Sequence, residues 1–151
     1  MRKQCMLSVV VVLCLTWAAQ AQELGIRLSP SNSVSSAVEG ALNIGEAMRL
    51  HGDVAFSNDV VGFDVLYDFF YSPFRIGDCA NFMWYAGVGG ALYVSNDSEF
   101  GISMEIGVDY RFDFPLVVGV DYRPTYWVDE YDNVFNIGGF SLMARYVMRK
   151  R

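Results

Sequence analysis

The sequence is poor in histidine, cysteine and positive charge. It has one histidine and three cysteines in 151 residues, and its 11 lysines and arginines stand against 17 aspartates and glutamates, for a formal net charge of −6. Binding to nucleic acid needs a basic face, so this charge balance argues against that class of protein. Cys5 and Cys14 fall in the first 21 residues, and Cys79 is the only later cysteine. An internal disulfide framework after residue 21 is therefore excluded.

The first 21 residues have the layout of a secretory signal peptide. Arg2 and Lys3 precede an apolar run over residues 5–17, and residues 18–21 end in the Ala-x-Ala pattern of a cleavage site. The apolar run is too short to span a bilayer comfortably, which argues against a membrane anchor. We predict a signal peptide over residues 1–21 and one domain over residues 22–151. Without Arg2 and Lys3, that domain has 9 basic and 17 acidic residues and a net charge of −8.

Residues 100–112 carry the clearest pattern in the chain. In the segment FGISMEIGVDYRF, large apolar residues alternate with glycine, small polar or charged residues. A period of two is typical of a β-strand, whereas an amphipathic helix needs a period of 3.6. Similar alternation between turn residues predicts eight strands, over residues 23–28, 33–44, 48–56, 61–71, 82–94, 100–112, 116–126 and 139–148. Residues 72–81 are one of the longer predicted connections. Short turns make neighbouring strands antiparallel, and an even number of up-and-down strands can close into a barrel.

The two faces of the predicted strands differ in bulk as well as in polarity. One face carries fourteen aromatic rings, while the other is rich in glycine and charge. An eight-stranded barrel has room inside only for side chains of moderate bulk, so we expect the aromatic face to point outward. Its rings belong to Phe56, Phe63, Tyr67, Phe69, Tyr71, Phe82, Trp84, Phe100, Tyr110, Phe112, Tyr122, Tyr126, Phe140 and Tyr146.

The inward face combines acids, arginines and the one histidine. Buried charges are tolerable when they are paired and hydrogen-bonded, and arginine suits this role because its planar fork can bridge two carboxylates. We predict a network of ion pairs in the lumen, formed by Arg27, Glu39, Arg49, His51, Asp53, Asp64, Asp68, Glu105, Asp109, Arg111, Asp121, Arg123 and Arg145. Among its acids, Asp64, Asp68, Glu105 and Asp109 could instead bind a cation or form an acid/base pair, but we favour the network of ion pairs.

Four segments resemble those of a known family. They are ELGIR at residues 23–27, FMWYAGVGG at 82–90, MEIGVDYRFDFPLVVGVDYRP at 104–124 and GGFSLMARY at 138–146. With the signal peptide, they resemble the small eight-stranded outer-membrane β-barrel proteins of Gram-negative bacteria, the OmpA/OmpX-like superfamily. The resemblance implies an all-β, antiparallel, up-and-down transmembrane barrel in the outer membrane, with a plugged interior, no catalysis and no cofactor. The implied partners are outer-membrane lipid, the barrel-insertion machinery and periplasmic chaperones, and the oligomeric state stays open.

Two further sites have competing interpretations. His51 could serve a lipid-modifying enzyme of the outer membrane, but no nucleophile motif accompanies it, and we expect a hydrogen-bonded lumen residue. The acidic and aromatic segment 127–134 is the candidate surface contact, through Trp127, Asp129, Glu130, Tyr131 and Asp132. Its alternative is a solvated loop of no specific function.

Two function classes follow from these patterns. The first is a non-enzymatic structural outer-membrane barrel with at most minor pore activity. The second is a soluble secreted β-barrel or sandwich that binds a small apolar ligand in its core. Alternation alone fits both classes, because it does not say whether the apolar face meets lipid or a core.

Overall fold

The structure is a computed structural model that describes residues 22–29, 36–57, 60–95, 98–128 and 134–148. The predicted signal peptide lies outside these ranges. The described residues form eight β-strands, with lengths from 6 to 16 residues. The strands are β1 (Glu23–Leu28), β2 (Ser36–Asn43), β3 (Arg49–Phe56), β4 (Val61–Ile76), β5 (Cys79–Val94), β6 (Ser98–Arg111), β7 (Leu116–Val128) and β8 (Val134–Val147).

The strands close into a single barrel. Each strand pairs in antiparallel orientation with the next one in the sequence, and β1 also pairs with β8. At this closing seam Leu24 lies opposite Tyr146, and Leu28 lies opposite Leu142. The prediction of an all-β, eight-stranded, antiparallel up-and-down barrel is confirmed. Closure leaves the paired part of the wall without a free edge.

No helix among the described residues is long and apolar enough to cross a membrane. That finding does not bear on crossing by strands.

The barrel is apolar outside and polar inside. On the outer face, Ile106, Leu142 and Phe140 are 55%, 58% and 68% exposed. At alternating positions, Asp109 and Arg145 are fully buried in the interior. The rings that the sequence places on the outer face are exposed or half-buried, except for Tyr71. The period-two alternation therefore separates apolar from polar side chains across the wall.

The prediction that Tyr71 faces outward is wrong, because β4 contains a β-bulge. Asp68 pairs with Gly87 but Phe70 pairs with Ala86, so Phe69 is an extra residue in β4. Phe69 and Phe70 are both exposed, and the alternation after them is reversed. The Tyr71 side chain consequently turns into the interior, where it is buried.

The predicted connection over residues 72–81 is also wrong, because most of it belongs to a long hairpin. Strand β4 continues to Ile76 and β5 begins at Cys79, so only a two-residue turn separates them. Gly77 in this turn has a φ of 59°, which suits a residue without a Cβ. Strand β3 pairs with β4 only as far as Asp68. The hairpin therefore extends past β3, at the end of the barrel where β1 begins.

The other strand boundaries differ less from the predictions. Strand β8 begins at Val134 rather than at residue 139, and β7 extends to Val128 rather than to residue 126. Part of the extension of β8 pairs with β7 across a register shift, between Arg123 and Thr125. Predicted strand residues 33–35 lie outside the described residues.

Candidate functional site in the barrel interior

Arg49 lies at the centre of one group of interior contacts. Its Nε donates a hydrogen bond to Oδ2 of Asp68 at 2.6 Å, and its Nη1 donates one to Oδ2 of Asp109 at 3.0 Å. The guanidinium carbon also lies 4.2 Å from the ring centroid of Tyr85 and 4.6 Å from that of Tyr71. Two carboxylates and two aromatic faces thus surround this fully buried cation.

Arg145 on β8 extends the same group toward β1. Its Nη2 donates a hydrogen bond to Oδ2 of Asp109, the oxygen that also accepts from Arg49. Its Nε lies 3.3 Å from Oε2 of Glu23 and 3.7 Å from Oε1 of Glu39. One aspartate therefore links two arginines, and Arg145 brings two glutamates to the same layer.

A second layer is organised by Arg123 on β7. Its Nη1 donates a hydrogen bond to Oδ2 of Asp53 at 2.7 Å, and its Nη2 donates one to Oε2 of Glu105 at 2.9 Å. Oδ2 of Asp64 lies 3.7 Å from Nη1, and Oδ2 of Asp121 lies 3.8 Å from Nη2. A single guanidinium is thus within ion-pair distance of four carboxylates, an arrangement that lysine could not reproduce with one compact ammonium group.

Arg27 and two serines lie beside this layer. Arg27 contacts both carboxylate oxygens of Asp121, and its Nη2 also donates to Oγ of Ser141 at 2.9 Å. Ser29 Oγ lies 2.7 Å from the same serine oxygen. These contacts join β1 to β7 and β8 through the interior.

His51 lies between two carboxylates. Its Nδ1 is 3.2 Å from Oε1 of Glu105, and its Nε2 is 3.0 Å from Oε2 of Glu39. Ligand atoms of His51, Asp68 and Glu105 also lie within 4.8 Å of one another. Both ring nitrogens of His51 thus face carboxylates.

Tyrosine and arginine close one end of the charged interior. Arg111 donates a hydrogen bond from Nε to the Tyr71 hydroxyl at 2.9 Å, and its Nη2 donates one to Oε1 of Glu23. A cavity of about 390 Å³ adjoins this contact, and its lining includes Arg111, the polar Asn43 and Glu46, and the apolar Phe112, Phe114 and Leu116. The half-exposed Arg111 is therefore the boundary between the interior and this cavity.

Aromatic packing fills the opposite end. Tyr93 and Trp127 lie with ring centroids 4.5 Å apart, and Tyr93 also packs against buried Ala37 and Ala55. A Cβ at Gly101 would press against the Trp127 ring, so the missing side chain makes room for it. The Trp127 predicted as a surface contact is half-buried in this packing. Asp129, Glu130, Tyr131 and Asp132 lie outside the described residues.

The thirteen residues predicted for the lumen all point into the barrel. Twelve of them are buried, and Arg111 lies at the rim. Sequence reasoning missed Glu23, which shares the period of Gly25 and Arg27 and was identifiable from it. It also left out Tyr85 and Leu66, which are fully buried, because only glycine, small polar and charged residues were assigned to the inner face. Tyr85 lies between the outward-facing Trp84 and Ala86, so the period-two pattern alone would have placed its side chain inside the barrel.

Comparisons of the chain with protein-family models, with curated proteins and with solved structures found no match.

Proposed function

We propose that this chain is a non-enzymatic structural protein of a bacterial outer membrane, with an ion-paired, largely plugged interior. The observation that carries the proposal is the polarity of the wall. Apolar side chains cover the outside while charged side chains are buried, which is the reverse of a water-soluble barrel. Soluble monomers rarely expose contiguous apolar patches above a few hundred Å².

Three features of the wall support a lipid environment. Exposed charged side chains on the described strands lie only near strand ends, at Arg75 and Glu99. The outward positions away from these ends carry none, and an arginine or lysine there would cost about 2–4 kcal/mol at the bilayer midplane. Closure of the barrel also supports a lipid environment, because backbone N–H and C=O groups in hydrocarbon need hydrogen-bond partners within the protein. Strands β4 to β8 contain 13 to 16 residues, more than the 9–11 that a tilted transmembrane strand needs.

A row of aromatic rings on one end of the wall fits a membrane interface. Phe82 lies 5.0 Å from Tyr110, Tyr110 lies 4.8 Å from Phe112, and Phe112 lies 5.0 Å from Phe114, between ring centroids. Aromatic residues in transmembrane barrels concentrate at the two interfaces with water. Strand β1 begins at this end of the barrel. If the mature N-terminus starts in the periplasm, this row lies at the periplasmic interface, and we assign it there.

The filled interior supports a structural role over transport. Arg49, Arg145, Tyr85 and Leu66 are among the largest fully buried side chains, and they lie inside the barrel. An eight-stranded barrel has an interior just wide enough for such side chains, and so we expect little or no conductance in planar bilayers. The charged interior also disfavours the alternative of a soluble barrel with an apolar ligand in its core.

Fractionation tests the proposal. The full chain, with its predicted signal peptide, is expressed in a Gram-negative host, and inner membrane, outer membrane and soluble fractions are separated. We expect the processed chain in the outer membrane, extractable only with detergent and with a gel mobility that changes on heating. Recovery in the periplasmic or secreted soluble fraction after signal removal would contradict it and favour the soluble barrel.

A further inference from the structure

The interior has more negative than positive groups. Its buried carboxylates are Glu23, Glu39, Asp53, Asp64, Asp68, Glu105, Asp109 and Asp121, and its guanidiniums are the buried Arg27, Arg49, Arg123 and Arg145 with Arg111 at the rim. Within the described residues, eight carboxylates thus face five guanidiniums, and a charged His51 would still leave an excess of two. Buried charge without compensation is costly, so this interior calls for further positive charge.

Three potential ligands converge where this compensation is incomplete. His51 on β3, Asp68 on β4 and Glu105 on β6 each offer one ligand atom, and these atoms lie within 4.8 Å of one another. All three residues are buried. Asp68 Oδ1 is enclosed by protein and receives no hydrogen bond from a donor group of the described residues; the side chain it meets is the carboxyl group of Glu105.

Gly87 allows the two carboxylates to approach each other. It lies on β5 between them, paired with Asp68 on one side and with Glu105 on the other. A Cβ at Gly87 would collide with Asp68 Oδ1, so this oxygen lies over the glycine and toward β6. This oxygen of one acid is therefore directed toward a second acid with no donor group between them, an arrangement that a cation would stabilise.

The far side of each ligand is already held by another residue. Arg49 Nε donates to the second oxygen of Asp68 at 2.6 Å, and Arg123 Nη2 donates to the second oxygen of Glu105 at 2.9 Å. His51 Nε2 lies 3.0 Å from Glu39. Histidine ligands of metals usually donate their other ring N–H to a carboxylate, and such outer partners orient the ligands.

We propose that His51, Asp68 and Glu105 bind one divalent transition-metal ion, such as Zn²⁺, in the barrel interior. His51 ligates through neutral Nδ1 while Nε2–H donates to Glu39, and each acid contributes one oxygen. One imidazole nitrogen with two carboxylate oxygens is a donor set that suits Zn²⁺ and its first-row neighbours. The ion supplies two of the missing positive charges and links β3, β4 and β6. The proposal depends on the interior and not on what surrounds the wall.

Metal content of refolded protein tests this site. The chain of residues 22–151 is refolded without a histidine tag in detergent micelles, with Zn²⁺ present, and is then freed of loose metal by dialysis against a weak chelator. We expect about one zinc ion per folded chain by elemental analysis. Zinc should also raise the urea midpoint of unfolding.

Two variants and a matched control locate the ion. Asp68→Asn and His51→Gln remove one ligand each, and we expect at least about a tenfold loss of zinc affinity. Asp64→Asn removes another buried carboxylate of β4, outside the cluster, and should keep the ion. A gel mobility that changes on heating identifies the folded fraction of each variant. If His51→Gln does not fold, the comparison of Asp68→Asn with Asp64→Asn still tests the site.

Two outcomes would overturn the metal site. Folded wild-type protein with no retained zinc would show that protons, rather than a metal, offset the excess of carboxylates. Equal zinc binding by wild-type, Asp68→Asn and Asp64→Asn would place the ion elsewhere. Cobalt gives a second readout, since visible absorption bands of bound Co²⁺ should change in Asp68→Asn and persist in Asp64→Asn.

Discussion

Arg27 donates two parallel hydrogen bonds to Asp121, from Nη1 to Oδ2 at 2.6 Å and from Nη2 to Oδ1 at 2.7 Å. The two residues belong to β1 and β7, which are separated in the wall by β8. Both are buried. The contact therefore joins strands that share no backbone hydrogen bonds, and bidentate geometry makes it one of the stronger polar contacts available.

Removing one partner of this pair should be costly. Arg27→Ala leaves Asp121 buried with weaker compensation, and we expect a loss of about 3–5 kcal/mol in the free energy of unfolding. Urea unfolding of the barrel in lipid vesicles measures this loss. The double variant Arg27→Met with Asp121→Leu should recover most of it, because apolar replacement of both partners removes the unpaired charge. If Arg27→Ala lowers the free energy of unfolding no more than the double variant does, water must reach Asp121.

A methyl group at Gly107 should destabilise the barrel through Tyr85. A Cβ there would overlap the Tyr85 ring, which is fully buried against Arg49. We expect Gly107→Ala to cost about 1–3 kcal/mol as an overpacked substitution. Gly90→Ala is the matched control, since the nearest atom to its Cβ is Phe100 Cε2 at 3.6 Å. Equal urea midpoints for the two variants would mean that the Tyr85 ring is not fixed in this position.

An arginine on the outer face separates a lipid-facing wall from a water-facing one. Ile106 is 55% exposed near the middle of β6, and Ile106→Arg should cost about 2–4 kcal/mol if it faces the bilayer centre. Ile44→Arg is the control, because Ile44 has the same exposure but lies in the connection between β2 and β3. Ile44→Arg should lower the free energy of unfolding only slightly. Insertion yield and unfolding in vesicles measure both, and tolerance of Ile106→Arg would contradict the lipid-facing wall.

Cys79 reports the orientation of the barrel. It is exposed where β5 begins, at the tip of the long hairpin. With strand β1 beginning at the periplasmic end, a membrane-impermeant thiol reagent should label Cys79 only after the outer membrane is permeabilised. Ser57→Cys in a Cys79→Ser background places a thiol at the opposite end and should be labelled in intact cells. The reverse pattern would invert the assigned orientation.

The fold was largely predictable because alternation is a local property of the sequence. Residues 100–112 show it without a break, and the structure forms β6 over Ser98–Arg111. The exceptions come from local features that alternation hides. One extra residue, Phe69, reverses the faces for Tyr71, and most of the predicted connection over residues 72–81 belongs to the projecting hairpin.

The membership of the interior was predictable, but its pairing was not. The period-two pattern predicts that Arg27 and Asp121 lie on the inner face, but it does not predict that they contact each other. Their contact depends on how the strands are staggered around the barrel, which is a property of the closed sheet. The same limit applies to His51, Asp68 and Glu105, which come from three strands and converge because Gly87 lies between the two acids.

The most direct test of the central claim asks whether the outer face touches lipid. The variant Trp127→Phe of residues 22–151 has one tryptophan, Trp84, which stacks on exposed Phe70 at 5.7 Å on the outer wall. It is refolded into vesicles of brominated phosphatidylcholine, with unbrominated vesicles as reference and Trp84→Phe as the control that retains Trp127. The account predicts strong quenching of Trp84 fluorescence by the brominated lipid and much weaker quenching of Trp127. Unchanged Trp84 fluorescence, with quenching by aqueous iodide instead, would contradict it.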